Sequence, residues 1–218
     1  MILRQLQELI GGIYDVPLAH DVYDFLVTDR GRLPAAVRAG ASDEQLIVAA
    51  DADADAVGVS LYLDPGLLAR LKAADPMRAL HEGNVQDYCT ALEGVSHFVY
   101  FAWNTGHDKA VSLHELELQA EIDKYVTSYW LLRRQLPARF PAELRRLLFE
   151  RTRVDPTLAA GRVELYRSAS RYAEKFCRHL ERSLSAPGRD SEQQVLAELR
   201  RFYRLSDARK LAHIERHD

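Results

Sequence analysis

Residues 95–135 constrain this chain more than any other stretch. From Ser96 to Trp103 the sequence is almost continuously apolar. An eight-residue connection follows, and at Ser112 a helix start is spelled out. Ser112 and Glu115 have the S-x-x-E spacing of a capping box, and Val111 and Leu116 sit where a hydrophobic staple would close around it. Read as extended chain, Ser96–Trp103 points His97, Val99, Phe101 and Trp103 one way and Phe98, Tyr100 and Ala102 the other. Both faces are largely apolar, which predicts a strand covered on both sides at the centre of a small sheet. The helix after Ser112 carries Leu118, Ile122, Tyr125, Val126, Tyr129 and Leu132 on one stripe and Leu116, Ala120 and Leu131 on a second. A helix with two apolar faces is expected between two layers.

Upstream, Ile2, Leu3, Leu6, Leu9 and Ile10 have helical spacing, with Gly11-Gly12 as the expected stop, and a second short helix is expected over Leu18–Leu26. Leu46–Val48 and Val57–Leu63 are β-type runs, so residues 44–63 predict a hairpin with an acidic tip. The tip, Asp51-Ala52-Asp53-Ala54-Asp55, has the opening spacing of a calcium loop. However, its sixth position is Ala56 where glycine is needed, and its twelfth is Tyr62 where a bidentate Glu is needed. Asp64-Pro65 marks a helix start. Asn84 marks another, with Val85, Tyr88, Cys89 and Leu92 on one face and Gly94 as its expected end.

Everything beyond Pro137 is helical in pattern. A short helix is expected from Pro141 through Arg151 and a long one over 158–184. Ser191 with Gln194 opens another, and Ser206 caps a last segment. The fold class expected is α+β: a small antiparallel sheet, hairpin 44–63 plus strand 96–103, packed with helices and followed by an all-helical carboxyl-terminal half. Residues 1–136 would form the α+β region and 137–218 a basic helical region packed on it as one continuous body.

Composition enters through charge. The net charge of the 218 residues is −3, but residues 1–130 carry 9 Lys/Arg against 20 Asp/Glu, while residues 131–218 carry 20 against 12. Net values of −11 and +8 imply that the halves attract each other or that the basic half meets a polyanion. Arg133, Arg134, Arg167, Arg171 and Arg178 are the expected contacts to such a partner, with Tyr166 and Tyr203 as stacking platforms. No helix-turn-helix, RNA-recognition or zinc-finger pattern accompanies them. Cys89 and Cys177 fall on apolar faces without metal or redox spacing, as small core hydrophobes do. No apolar run approaches the ~18–20 residues of a membrane span, and Met1–Gln5 lacks a signal-peptide core. A cytoplasmic protein is expected.

Two clusters carry chemistry. Asn104-Thr105-Gly106-His107-Asp108 would follow a strand and precede a helix amino terminus, a place to hold an anion, with His107 and Asp108 as acid and base. His114, Glu117 and Glu121 share a helix face, and an imidazole with two carboxylates suits a divalent metal. The sequence therefore supports two functions. One is an accessory or regulatory protein that docks an acidic partner, protein or nucleic acid, and self-associates through its carboxyl-terminal helices. The other is a small enzyme, metal-dependent, with its site at the junction of strand 96–103 and helix 113–136.

Overall fold

A computed structural model describes residues 1–17, 19–38, 42–51, 56–137, 140–150, 159–185 and 191–217. The expected hairpin is present: β2 (Glu44–Asp51) and β3 (Ala56–Leu63) pair antiparallel, with Leu46 opposite Leu61. Its acidic tip, residues 52–55, lies outside the described residues. The third strand is β1 (Leu26–Val27), parallel to β3, so the sheet is mixed with the order β1-β3-β2.

The expected strand 96–103 is a correction. Those residues belong to α4 (Val85–Thr105), one uninterrupted helix that runs through Gly94. A short apolar run bounded by polar residues is compatible with a buried strand and with a buried helix, and periodicity alone does not separate them. Tertiary surroundings decided here. α4 lies against both long strands on one side and against α1 (Ile2–Tyr14) and α5 (Leu113–Gln135) on others, so its middle, Gly94–Tyr100, is buried on every side. Tyr88, Leu92, Val95, Phe98, Val99 and Tyr100 are each at most 1% exposed. Burying side chains of this size contributes about 1.5–3 kcal/mol each.

Gly94 is a contact point instead of a stop. A Cβ there would lie 2.7 Å from Glu44 Cγ and 2.8 Å from Leu61 Cδ1, so its absence lets the helix sit down on the sheet. On an exposed helix Gly→Ala gains about 1 kcal/mol. Here Gly94→Ala should instead cost about 1–3 kcal/mol through overpacking. Chemical denaturation checks the sign, and a stabilised variant would contradict the close approach.

The capping box at Ser112 forms as expected: Ser112 Oγ accepts from Glu115 N at 3.1 Å, and Glu115 Oε2 accepts from Ser112 N at 3.1 Å. α5 packs between α4 and α7 (Ala160–Ser185), which satisfies its two apolar faces. α1 continues past Gly11-Gly12 to Tyr14 and closes on Asp15 in the left-handed region (φ 55°). Of the helix expected over residues 18–26, Leu18 lies outside the described residues and the rest holds a 3-10 turn, Val22–Phe25, before β1. Short α2 (Ala35–Arg38) follows, and α3 (Pro65–Ala73) begins at Asp64, whose carboxylate accepts from Gly66 N and Leu67 N. The second half is helical among the described residues: α6 (Leu144–Glu150), α7, α8 (Ser191–Tyr203) and α9 (Asp207–His217). The class is therefore α+β, a small sheet packed with helices and a helical carboxyl-terminal half. No helix among the described residues is long and apolar enough to cross a membrane.

A buried polar network ties α1, α4, α5 and α9 together. Asp123, fully buried, accepts from Tyr14 Oη at 2.5 Å, Ser96 Oγ at 2.6 Å and Gln119 Nε2 at 2.8 Å. Gln119 Oε1 in turn accepts from the fully buried Lys210 Nζ at 2.7 Å, and that ammonium lies 4.3 Å from the centre of the Tyr100 ring.

Candidate metal centre

α4, α5 and the first residue of β2 bring ionisable side chains together beneath the sheet edge. Glu93 and His97 are four apart on one face of α4, and Glu117 faces them from α5. One ligand atom from each of the three lies within 4.8 Å of the others. Glu44 closes the fourth side, its Oε1 3.6 Å from His97 Nδ1, while Glu117 Oε2 is 3.8 Å from His97 Nε2. His97, Glu117 and Glu44 are only 6%, 6% and 8% exposed. Yet His97 Nε2 and Glu44 Oε1 have no hydrogen-bond partner. Buried polar atoms are ordinarily satisfied, and each exception calls for a cause.

One ammonium offsets part of the negative charge around this cluster. Lys124 Nζ lies 2.7 Å from Glu93 Oε2 and 2.6 Å from Glu121 Oε1. Burial disfavours the Glu93 carboxylate, but Lys124 and His97 outweigh it and hold its pKa below the usual value. Burial would also neutralise His97, and the carboxylates of Glu44, Glu117 and Glu93 overcome this, lifting it to about 9. At Glu117 burial dominates the pull of His97, and the carboxyl is pushed up to about 7. Burial likewise raises Glu44. Without a cation other than Lys124 the cluster must hold extra protons, as a set of crowded ligands does before an ion displaces them.

A cavity of about 330 Å³, lined by Ser42, Asp43, Glu44, Thr90 and Glu93, opens beside the cluster. Its walls are polar and acidic. Ligand atoms around one ion at about 2.1 Å stand roughly 3–3.5 Å apart. The 3.8 Å between His97 and Glu117 is close to that range, and a small rotamer adjustment would close it. The residues present therefore fit a divalent ion: one imidazole, at least two carboxylates, and a solvent-facing side.

Of the residues expected from sequence, only Glu117 belongs to this cluster directly, with Glu121 attached through Lys124. His114 turns away, its Nδ1 3.0 Å from Asp207 Oδ1 on α9. His107 packs its ring on Trp103 and bonds the Trp103 carbonyl at 2.7 Å. Asn104 and Thr105 are the last residues of α4, so the 104–108 segment lies at a helix carboxyl end. There the N–H groups of Gly106, His107 and Asp108 are already donated to the carbonyls of Ala102, Asn104 and Thr105. Asn104 Nδ2 donates to Tyr100 O, and Asp108 adopts φ 55°. The premise of an anion loop after a strand is thus a correction, because no strand precedes it.

The arginines scatter. Arg133 faces Glu192 at 3.4 Å and the Pro137 carbonyl at 2.5 Å, while Arg134 is exposed. Arg178 pairs with Glu174 at 2.7 Å, and Arg171, exposed like Arg167, lies 5.3 Å from the Tyr172 ring centre. Arg145 pairs with Glu174 and Glu181. Arg200 and Arg204 reach the carbonyls of Gly12, Ile13, Tyr14 and Asp15, closing the end of α1. Arg139, Arg151 and Arg153 lie outside the described residues.

Sequence reasoning missed Glu44, Glu93 and His97. The available signal was Glu93-x-x-x-His97, a one-face spacing only if the segment is a helix. No family model matches this chain, and neither curated proteins nor solved structures yield a match.

Proposed function

We propose that this protein is a small divalent-metal-dependent enzyme of the hydrolytic kind, with Glu93, His97 and Glu117 as metal ligands and the adjoining acidic cavity as the substrate site. The observation that carries the reading is the buried His97 Nε2, without a hydrogen-bond partner, pointing at Glu117 within a three-ligand group. A carboxylate-rich set with one imidazole suits a manganese- or iron-class ion. Such an ion would supply Lewis acidity and lower the pKa of water at an open position. Lys124 holds Glu93 and Glu121 in place and offsets their charge. Glu44 shares the cavity wall and has a pKa raised by burial, so it is the side chain placed to accept a proton. The acidic lining, Asp43, Glu44 and Glu93, favours a neutral or cationic small substrate over a phosphate.

The test is Mn²⁺ titration of the purified protein, by calorimetry and by loss of the free-ion magnetic resonance signal. One equivalent should bind, with His97→Ala and Glu117→Gln each weakening it by more than about 100-fold. Hydrolysis of a panel of neutral and cationic esters and amides should require Mn²⁺ and vanish in His97→Ala. Absence of Mn²⁺ binding, or binding unchanged in both variants, overturns the reading.

Docking of an acidic partner has less support. Several second-half arginines are engaged by neighbouring carboxylates or by carbonyls of α1. A heparin column tests that alternative directly: elution at low salt is the expected result, because phosphate tracking demands a steep salt dependence.

A further inference from the structure

A second group of ligating side chains lies on the carboxyl-terminal helices and takes no part in the cluster under the sheet. Glu198 on α8 accepts from two imidazoles at once: His213 Nε2 on α9 at 3.0 Å through Oε1, and His179 Nε2 on α7 at 3.1 Å through Oε2. His217, one turn beyond His213, stacks against both rings, with centroid distances of 4.7 Å to His213 and 4.8 Å to His179. Ligand atoms from Glu198, His213 and His217 all lie within 4.8 Å of one another.

Three imidazoles thus crowd around one carboxylate. A carboxylate can offset a single imidazolium, and three cationic rings in contact would repel one another. Neutral imidazole is the form that binds metal, and an ion seated here would replace the protons that His213 Nε2 and His179 Nε2 share with Glu198. The positions are also held firmly. His213 is 4% exposed and is flanked by the rings of Phe176 and Phe202, at 5.9 Å and 5.7 Å between centroids. His213 and His217 are four apart on one helix, which puts both rings on one face. His217 is exposed, which gives an ion a way in.

We infer that His179, Glu198, His213 and His217 form a structural site for a zinc-class transition-metal ion that clips α9 to α7 and α8. Three imidazoles and one carboxylate match the four-coordinate preference of Zn²⁺ and discriminate against Mg²⁺ and Ca²⁺, which take oxygen donors. Ligands drawn from three separate helices make the ion a cross-link between segments that otherwise meet through packing. α9 also delivers Lys210 to the buried network, so fastening α9 steadies the interior as well as the surface.

The experiment is Zn²⁺ titration of the full chain, followed by calorimetry and thermal unfolding, with Co²⁺ as a spectroscopic substitute. Wild type should bind Zn²⁺ with a rise in unfolding temperature, and Co²⁺ should give the intense visible absorption of a tetrahedral centre. His217→Ala changes an exposed side chain and should fold normally while weakening Zn²⁺ by about 10–100-fold and removing the temperature rise. His179→Gln should do the same, and His97→Ala should leave this binding unchanged. Zn²⁺ binding that survives in both His217→Ala and His179→Gln when each also carries His97→Ala, which removes the centre under the sheet, overturns the site. So does binding lost only in His97→Ala, or the absence of binding in wild type. Because the cluster under the sheet is read with Mn²⁺ and its own variants, the two centres stand or fall separately.

Discussion

Asp123→Ala should lower the free energy of unfolding by about 3–5 kcal/mol, among the largest effects available from a single side chain here. Asp123 is fully buried and accepts three hydrogen bonds, from Tyr14, Ser96 and Gln119, side chains of three different helices. Alanine would leave all three donors in a dry interior, and each orphaned group costs about 1–3 kcal/mol. It would also leave a methyl-lined void where a carboxylate was. Lys210 limits the damage, because its buried ammonium can shed a proton when the nearby carboxylate goes. Ser96→Ala removes one donor while leaving Asp123 two others, and about 1 kcal/mol is expected for it. Denaturant unfolding of both variants provides the comparison. A loss below about 1 kcal/mol for Asp123→Ala would mean that the network does not hold the helices together.

Lys210→Met should change how stability depends on pH between about 7 and 10.5. Burial lowers the Lys210 pKa from 10.5 to about 7, against the opposing pull of Glu115, Asp123 and Asp207. Gln119 is its hydrogen-bond partner, the rings of Tyr100, Phe202 and Tyr203 surround it, and Lys109 adds a small repulsion. Between those two pH values the unfolded chain holds the proton and the native protein does not. Stability from this group therefore rises with pH, by up to about 1.4 kcal/mol per unit. Asp123 acts in the opposite sense at lower pH. Burial raises it from 3.8 to about 6, the native state keeps a proton that the unfolded chain has lost, and stability falls as pH rises through that window. Methionine has a similar unbranched shape and no proton to exchange. Subtracting the Lys210→Met stability from wild type at each pH isolates the lysine together with the carboxylates it touches electrostatically, Glu115, Asp123 and Asp207, since His97 and the more distant groups are common to both. The difference should climb by a few kcal/mol from pH 7 to pH 10 in favour of wild type. Parallel curves would show that Lys210 titrates near its ordinary value.

Much of the scaffold was legible because its signals are local. Ser112 with Glu115 specified a helix start through two reciprocal hydrogen bonds within four residues. Asp64-Pro65 did the same for α3, and the β-type runs Leu46–Val48 and Val57–Leu63 specified the hairpin. The two apolar faces of α5 correctly required a neighbour on each side. Gly11-Gly12 and Gly94, which have the look of helix ends, lie inside helices. α1 runs on through the first pair, and at Gly94 the missing Cβ makes room for Glu44 and Leu61.

The candidate site was largely hidden by one such ambiguity. With 96–103 taken as a strand, His97 became a core side chain and Glu93 belonged to a different element. As one helix, the two share a face and meet Glu117. Their distance in space then follows from the α4–α5 packing, and Glu44 arrives from a strand some fifty residues earlier.

What the sequence by itself determined was the set of caps, turns and amphipathic stripes, since these depend on hydrogen bonds and side-chain spacing within a few residues. Only the tertiary structure decided that Ser96–Trp103 is helical and which ionisable groups meet. A segment buried on every side has no solvent face to mark its period. The packing around it, which buries the segment between the sheet and its neighbouring helices, settles whether it coils or extends.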